Sequence, residues 1–186
     1  MGNPHSRVRL DVFYDLHCVD SRNFNREFMA FLDSYYKNGT FADAIDVVFH
    51  YYPLPYHRLS FRASVLAPYL AYTRGDQAAI KYAAWTLEHF EYFVGEDVKD
   101  LNENEVMAKI CRDVSEAQEI GLEESECLRV YDENLARADT IARKSYTFAA
   151  YSDVTGTPTV RLNGIEMYPL PMRKKTWVDY MTVFLS

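Results

Sequence analysis

The sequence predicts an α/β fold that is interrupted by a block of helices. A strand–helix–strand pattern opens the chain, a long stretch with helical patterning follows, and a β-hairpin and a helix close it. The length of 186 residues suits one domain with a sizeable insertion. We therefore expect the first half of the fold in residues 1–58, the helical insertion in residues 59–134 and the second half in residues 135–186.

The opening unit follows from the spacing of apolar residues. Alternating apolar and polar residues predict a strand over 8–14. Apolar residues at helical spacing then predict a helix that starts near Phe24 and stops at Asn38-Gly39, with Gly39 as its C-cap. A near-continuous apolar run over 45–52 is typical of a buried parallel strand.

The remaining elements follow from helical periodicity and one turn signal. Asn163-Gly164 is a strong hairpin signal between strands predicted over 159–162 and 165–168. A closing helix is predicted over 176–185, with four apolar residues on one side: Trp177, Tyr180, Met181 and Phe184. Further helices are predicted over 59–73, 78–93, 106–120, 123–134 and 136–151.

Composition and charge exclude several classes of function. The net charge of −7 argues against a nucleic-acid partner, because phosphate binding needs clustered Lys and Arg. The sequence has no run of about 18 apolar residues that would span a membrane. Met1–Arg7 is polar and does not have the pattern of a signal peptide. We expect the signal peptide to be absent from the sequence as given. We also expect the protein to act in an oxidising compartment, which is the periplasm, the endoplasmic reticulum or the extracellular space.

Cys18 lies between the first strand and the first helix, within Asp15-Leu16-His17-Cys18-Val19-Asp20-Ser21. Backbone N–H groups and the positive end of the helix dipole would favour its thiolate. A protonated His17 would add to this effect, whereas the Asp20 carboxylate would oppose it. On position alone, the alternative is a small buried hydrophobic residue with no chemistry.

Pro158 opens the predicted hairpin, in the segment Gly156-Thr157-Pro158-Thr159. A proline is tolerated at the first position of a strand because it has no N–H to donate there. It is either a simple loop terminator or part of a cis-proline loop. In the second case the backbone of Thr157 is free to pair with an extended peptide or with glutathione.

Four short segments occur in a specific order along nearly the whole chain. They are Gly2-Asn3-Pro4, Tyr14-Asp15-Leu16-His17-Cys18, Pro53-Leu54-Pro55-Tyr56-His57, and Gly156-Thr157-Pro158-Thr159 followed by Asn163-Gly164. In this order they resemble the DsbA-like branch of the thioredoxin superfamily. The resemblance implies a thioredoxin-like fold with a helical insertion subdomain and a thiol-disulfide exchange activity. It also implies a catalytic Cys18 and substrate contacts at Thr157, Pro158 and His17.

The sequence departs from this family at the second active-site cysteine. The family pattern is Cys-x-x-Cys, whereas this chain has Cys18-Val19-Asp20-Ser21. Ser21 cannot attack a mixed disulfide, so we expect its hydroxyl to cap the helix or to bind the Cys18 thiolate. Cys18 would then form a mixed disulfide that a second molecule must resolve. Isomerisation, glutathione-dependent exchange and client trapping all fit this chemistry.

The other two cysteines, Cys111 and Cys127, lie on either side of Gly121 in the helical insertion. In a helical hairpin that turns at Gly121 they would differ in height by about 6 Å. This is near the upper limit of roughly 6.8 Å for the Cα separation of a disulfide. We expect a structural disulfide, with two separate buried thiols as the alternative.

These residues indicate a thiol-disulfide exchange protein of the oxidoreductase or isomerase type that uses a single cysteine. The replacement by Ser21 leaves open whether the chain is an enzyme. Two alternatives are a non-catalytic peptide-binding or chaperone-like protein and a glutathione-dependent transferase or isomerase of the kappa-class type. We expect a protein or peptide client, no cofactor apart from glutathione as a co-substrate, and no metal. A site built from His50, His57 and Cys18 is a weak hypothesis, because no metal-ligand spacing is present.

Overall fold

The computed structural model describes residues 1–89, 95–132 and 135–186, apart from the side chains of residues 97, 135 and 136. The ends of the helices predicted over 78–93 and 123–134 therefore lie partly outside the described residues. The strands are β1 (Arg9–Tyr14), β2 (Tyr35–Tyr36), β3 (Gly39–Thr40), β4 (Asp46–Tyr51), β5 (Thr159–Leu162) and β6 (Ile165–Glu166).

The helices alternate with these strands and fill the middle of the chain. They are α1 (Val19–Leu32), α2 (Phe41–Ala44), α3 (Ser60–Arg74), α4 (Asp76–Glu88), α5 (Glu103–Glu116), α6 (Glu124–Asp132), α7 (Leu135–Tyr151) and α8 (Lys174–Phe184), with a short 3₁₀ helix at Glu96–Val98. Between β4 and β5 the described residues form helices and their connections and no strand. The predicted α/β fold with a helical insertion is confirmed.

A four-stranded sheet forms the centre of the fold in the order β4-β1-β5-β6. Strand β1 runs parallel to β4 and antiparallel to β5, and Phe13 pairs with Thr159. The carboxyl end of β1 and the amino end of β5 therefore lie at the same edge of the sheet. This register places the segment after Tyr14 beside the loop that ends at Pro158.

Helix α8 packs against α1 through aromatic rings, and α1 in turn contacts the sheet through Phe24 and Phe28. Trp177 lies 5.1 Å from Phe28 and 5.5 Å from Phe31, measured between ring centroids. Of the four apolar residues predicted on one side of α8, Trp177 and Met181 are buried, whereas Tyr180 and Phe184 are 43% and 49% exposed. The packed stripe of α8 is therefore narrow, and the rings of Tyr180 and Phe184 stack on each other.

The segment after α1 differs from the prediction. The helix ends at Leu32, and the chain then forms a small β2–β3 hairpin. Lys37 has a positive φ of 51° in its turn, and Gly39 belongs to β3 and is not a helix C-cap. Two-residue strands are too short to produce a periodic pattern, so they cannot be predicted from the spacing of apolar residues.

Asn163 and Gly164 form the turn that their sequence predicts. Both have positive φ, 51° and 84°, as a type I′ hairpin turn requires. The return strand β6 is shorter than predicted, because it ends at Glu166. No helix in the described part of the chain is long and apolar enough to cross a membrane.

A disulfide joins α5 to α6 inside the insertion. The Cα atoms of Cys111 and Cys127 are 5.4 Å apart, and both side chains are fully buried. The bond closes a loop with a sequence separation of 16 residues. It therefore restricts the unfolded insertion as well as linking the two folded helices.

Replacing both Cys111 and Cys127 with Ala should lower the free energy of unfolding by about 3 kcal/mol, because a loop of this length loses its closure. Urea denaturation without reductant measures the change. Cys18→Ala is the matched control, since it removes a thiol and leaves the bond intact. Three reactive thiols in unfolded, unreduced wild-type protein, instead of one, would contradict the assignment.

Candidate functional site

Cys18 occupies the N-cap position of α1, directly after the carboxyl end of β1. Its backbone is extended, with φ −98° and ψ 124°, and its carbonyl accepts the N–H of Arg22 at 3.0 Å. No side chain accepts a capping hydrogen bond at this helix start. The N–H groups of the first turn therefore present their partial positive charge at the residue that carries the thiol. The side chain of Cys18 is 7% exposed, so a reacting partner must approach it closely.

The loop before β5 meets this thiol. The peptide bond between Thr157 and Pro158 is cis, and the Cys18 thiol donates a hydrogen bond to the Thr157 carbonyl, with Sγ and O 3.4 Å apart. The Thr157 N–H makes no hydrogen bond to another described residue. The structure thus brings together three residues that the sequence placed in one site.

Ser21 lies one helical turn after Cys18, in the position that carries the second cysteine in the family pattern. Its side chain is fully buried, and in the described part of the structure its Oγ has no hydrogen-bond partner. The expectation that Ser21 caps the helix is wrong, because Cys18 itself occupies the cap. No hydrogen bond links the Ser21 hydroxyl to Cys18 either. Ser21 therefore has no thiol to react with and makes no hydrogen bond to the thiol of Cys18.

Asp15 is the residue that sequence reasoning missed. Its fully buried carboxylate accepts two hydrogen bonds on each oxygen. Oδ1 accepts the His17 N–H at 2.8 Å and the Ser60 hydroxyl, and Oδ2 accepts the Leu54 N–H at 2.8 Å and His57 Nδ1 at 2.6 Å. The carboxylate therefore ties the segment before Cys18 to the start of the helical insertion. An acidic residue at the end of an apolar strand was the available signal.

His17 is buried beside this network and does not contribute charge. Burial first, and the nearby His57 second, lower the pKa of His17 from 6.5 to about 3. Its ring is therefore neutral at pH 7, so the condition of a protonated His17, under which it would favour the thiolate, is not met. Its side chain is 1% exposed, so it lies beneath the surface on which a client would dock and not on that surface.

The histidines do not assemble around Cys18 as metal ligands. The ring of His50 lies 4.7 Å from that of Phe13 and 4.9 Å from that of Phe148, and its Nε2 is 2.8 Å from Asp11. His57 is bound to Asp15. In the residues that the structure describes, no group of three His, Cys, Asp or Glu side chains could hold a metal ion.

Comparison with known proteins finds a family match over nearly the whole chain. Residues 1–179 match the profile of a family described as Thioredoxin. The structure is similar to a putative protein-disulfide isomerase from Pseudomonas syringae, with 21% identity, a TM-score of 0.66 and coverage of 95% of this chain and 94% of that one. No curated protein matches the sequence significantly.

Two further solved structures cover all of this chain. BdbD from Bacillus subtilis has 13% identity and a TM-score of 0.72, with 90% of its own chain covered. The thiol-disulfide exchange protein α-DsbA2 from Wolbachia pipientis has 14% identity and a TM-score of 0.69, with 85% covered. At these identities the likeness shows the fold. It confirms the predicted thioredoxin-like fold with its helical insertion.

Replacing Asp15 with Ala should lower the free energy of unfolding by about 3 kcal/mol, because buried donors lose their acceptor. Chemical denaturation measures the change. Asp20→Ala, an exposed carboxylate in the same segment, is the matched control and should change stability by less than about 0.5 kcal/mol. Equal effects of the two substitutions would show that the network does not stabilise the fold.

The lowered pKa of His17 makes a specific contribution to acid sensitivity. Between pH 6.5 and about pH 3 the unfolded chain binds a proton at this residue that the folded chain does not. Stability therefore falls as the pH falls through this window. His17→Gln should lose about 2 kcal/mol less stability than wild type between pH 7 and pH 5. Urea titrations at pH 7 and pH 5 measure this loss of stability, with the exposed His5→Gln as the control. If wild type and both variants lose the same stability between these pH values, the prediction is wrong.

Proposed function

Because the chain belongs to the thioredoxin family and has the DsbA-like form of its fold, we propose that Cys18 exchanges disulfides with protein or peptide clients through a single thiol. The observation that carries the proposal is the contact between the Cys18 thiol and the carbonyl of Thr157, which places the thiol beside the Thr157–Pro158 loop. The printed names of two structural neighbours, a putative protein-disulfide isomerase and a thiol-disulfide exchange protein, support the same chemistry.

The first step joins Cys18 to a client. The Cys18 thiolate attacks one sulfur of a client disulfide, so that a Cys18–client disulfide forms and the client disulfide breaks. The departing client sulfur leaves as a thiolate and takes a proton from water. The extended client segment docks against Thr157, whose N–H has no acceptor among the described residues and can donate to a client carbonyl.

The second step needs a thiol from outside the site, since Ser21 has none to offer. When another thiolate of the client attacks, a rearranged client disulfide forms and Cys18 is released with no net oxidation. When glutathione attacks the client sulfur, Cys18 is released and the client carries glutathione in a mixed disulfide. Glutathione is the external thiol that we propose as co-substrate.

The buried disulfide in the insertion supports an oxidising compartment for this protein. Disulfides persist in the periplasm, the endoplasmic reticulum and outside cells, and they are rare in reducing cytosol. The Cys111–Cys127 bond supports this compartment, because a reducing cytosol would keep the two thiols unbonded. A single-thiol exchange protein would meet disulfide-bearing clients in the same place.

Client binding without exchange is the second candidate, and the geometry of Thr157 favours it. The backbone of Thr157 can pair with an extended peptide whether or not Cys18 reacts. Cys18→Ala separates the two candidates when a peptide with one disulfide is the probe. Exchange chemistry requires that the variant lose covalent capture of the peptide. Unchanged function of the variant in a refolding assay would favour binding alone.

With oxidised glutathione, the wild-type protein should accumulate one glutathione on Cys18, which intact-protein mass spectrometry detects. Ser21→Cys should remove this adduct and form an internal disulfide, because a neighbouring thiol resolves the mixed disulfide roughly tenfold faster or more. Ser21→Ala is the matched control and should keep the adduct. Absence of a native wild-type adduct, with Cys18 reactive after unfolding, would overturn single-thiol exchange.

A further inference from the structure

A half-open groove lies on the surface between the helices α3 and α7. This α3–α7 groove consists of two cavities with volumes of about 290 and 230 Å³. The wider cavity lies between β4 and the helices α3, α4 and α7, and the narrower one lies between α3 and α7. Pro68 of α3 and Ile141 of α7 line both cavities, so the two cavities meet at these residues.

The walls of the α3–α7 groove are mostly apolar in both cavities. Six of the apolar residues that line it are Val48, Pro68, Ala71, Ile80, Ala138 and Ile141. Ile141 is 37% exposed, and Tyr72 in the narrower cavity is 67% exposed. Adjoining apolar side chains that stay in contact with water are a feature of ligand-binding grooves.

Arg137 supplies a cationic group at the narrow end of the groove. It lines the narrower cavity, and its guanidinium lies over the ring of Tyr72, 4.2 Å from the ring centroid. Within the described part of the chain, Arg137 forms no ion pair and donates no hydrogen bond to another residue. A cation–π contact does not occupy the N–H donors of a guanidinium, so these donors can still bind an acceptor.

Two acidic residues around the narrow end already have cationic partners. Asp139, two residues further along α7, is bound to Arg143 at 2.6 Å. Glu126 of α6 is bound to Arg74 of α3, also at 2.6 Å. We therefore expect an anion that pairs with Arg137 to come from a ligand.

The wide end of the groove disfavours an anionic group. Asp76, an exposed residue at the start of α4, lines the wider cavity, and its carboxylate repels negative charge. Met1 lines the same cavity, but its ammonium already donates to the carbonyl of Val47 at 2.8 Å. An anionic ligand group is therefore favoured at Arg137.

We propose that the α3–α7 groove binds an unbranched aliphatic carboxylate, with its carboxylate at Arg137 and its chain over Pro68 and Ile141 into the wider cavity. Arginine pairs well with carboxylates, and apolar walls with a few polar groups are typical of small-molecule sites. Each cavity is larger than the roughly 150 Å³ cavity that holds benzene, so the two together suit a chain of about ten carbons. None of the lining residues belongs to the site around Cys18.

The test uses decanoate as the probe, with decan-1-ol and butyrate as matched compounds. Decan-1-ol keeps the chain without the charge, and butyrate keeps the charge with a short chain. Titration of the folded wild-type protein, followed by amide NMR shifts, should show saturable binding of decanoate at residues of α3 and α7. Butyrate should bind at least roughly tenfold more weakly, because it buries little apolar surface.

Three variants locate the binding. Arg137→Gln should weaken binding of decanoate roughly fivefold and leave binding of decan-1-ol unchanged. Ile141→Glu, which places a charge in the middle of the groove, should weaken binding of both compounds roughly tenfold or more. Arg7→Gln removes an exposed arginine outside the groove and is the matched control, which should change neither.

Equal binding of decanoate by wild type and Arg137→Gln would overturn the proposal. Binding of butyrate as tight as that of decanoate, or shifts that do not map to α3 and α7, would do the same. If near-ultraviolet circular dichroism shows that Ile141→Glu does not fold, the titration of Arg137→Gln decides alone. Cys18→Ala should bind decanoate as wild type does, so a failure of the exchange proposal leaves this result unaffected.

Discussion

The buried carboxylate of Asp15 is the interaction on which the arrangement of the site depends. A carboxylate removed from water costs several kcal/mol unless donors surround it. Here the donors come from the segment before Cys18 and from the start of the helical insertion, through His17, Leu54, His57 and Ser60. Satisfying one carboxylate therefore fixes where the thiol-bearing loop lies relative to the insertion. The antiparallel pairing of β1 with β5 then brings the cis-proline loop to the same place.

The geometry around Cys18 places its free thiol against the Thr157–Pro158 loop, while the other two cysteines are bonded to each other. The helix start favours negative charge at the cap, and Thr157 lies within hydrogen-bonding distance of the sulfur. Ser21 follows one helical turn later, and its buried hydroxyl has no partner in the described part of the structure. A buried hydroxyl without a partner costs roughly 1–3 kcal/mol. The fold thus retains the position of a second thiol without its chemistry.

Much of the fold follows from local patterns, whereas the polar details of the site do not. The spacing of apolar residues predicts β1, β4 and the final hairpin closely, because each buries a regular stripe or ends in a distinctive turn. The β2–β3 hairpin was missed, because it is too short to carry a period. The roles of Asp15, His17 and Ser21 depend on which donors and charges distant segments bring to them. No window of sequence around these residues contains that information.

The same distinction explains why the cavity between β4 and the helices α3, α4 and α7 could not be anticipated. Alanines in α3, α4 and α7 satisfy the helical pattern equally well whether they pack against a neighbour or leave a space. Only the meeting of three helices with one strand decides which of them line a void. The disulfide between α5 and α6 and the network at Asp15 each hold a different part of the insertion. Both restraints lie outside the cavity walls that α4 and α7 contribute, so the placement of these walls depends on the packing of both helices against α3, and of α7 against β4.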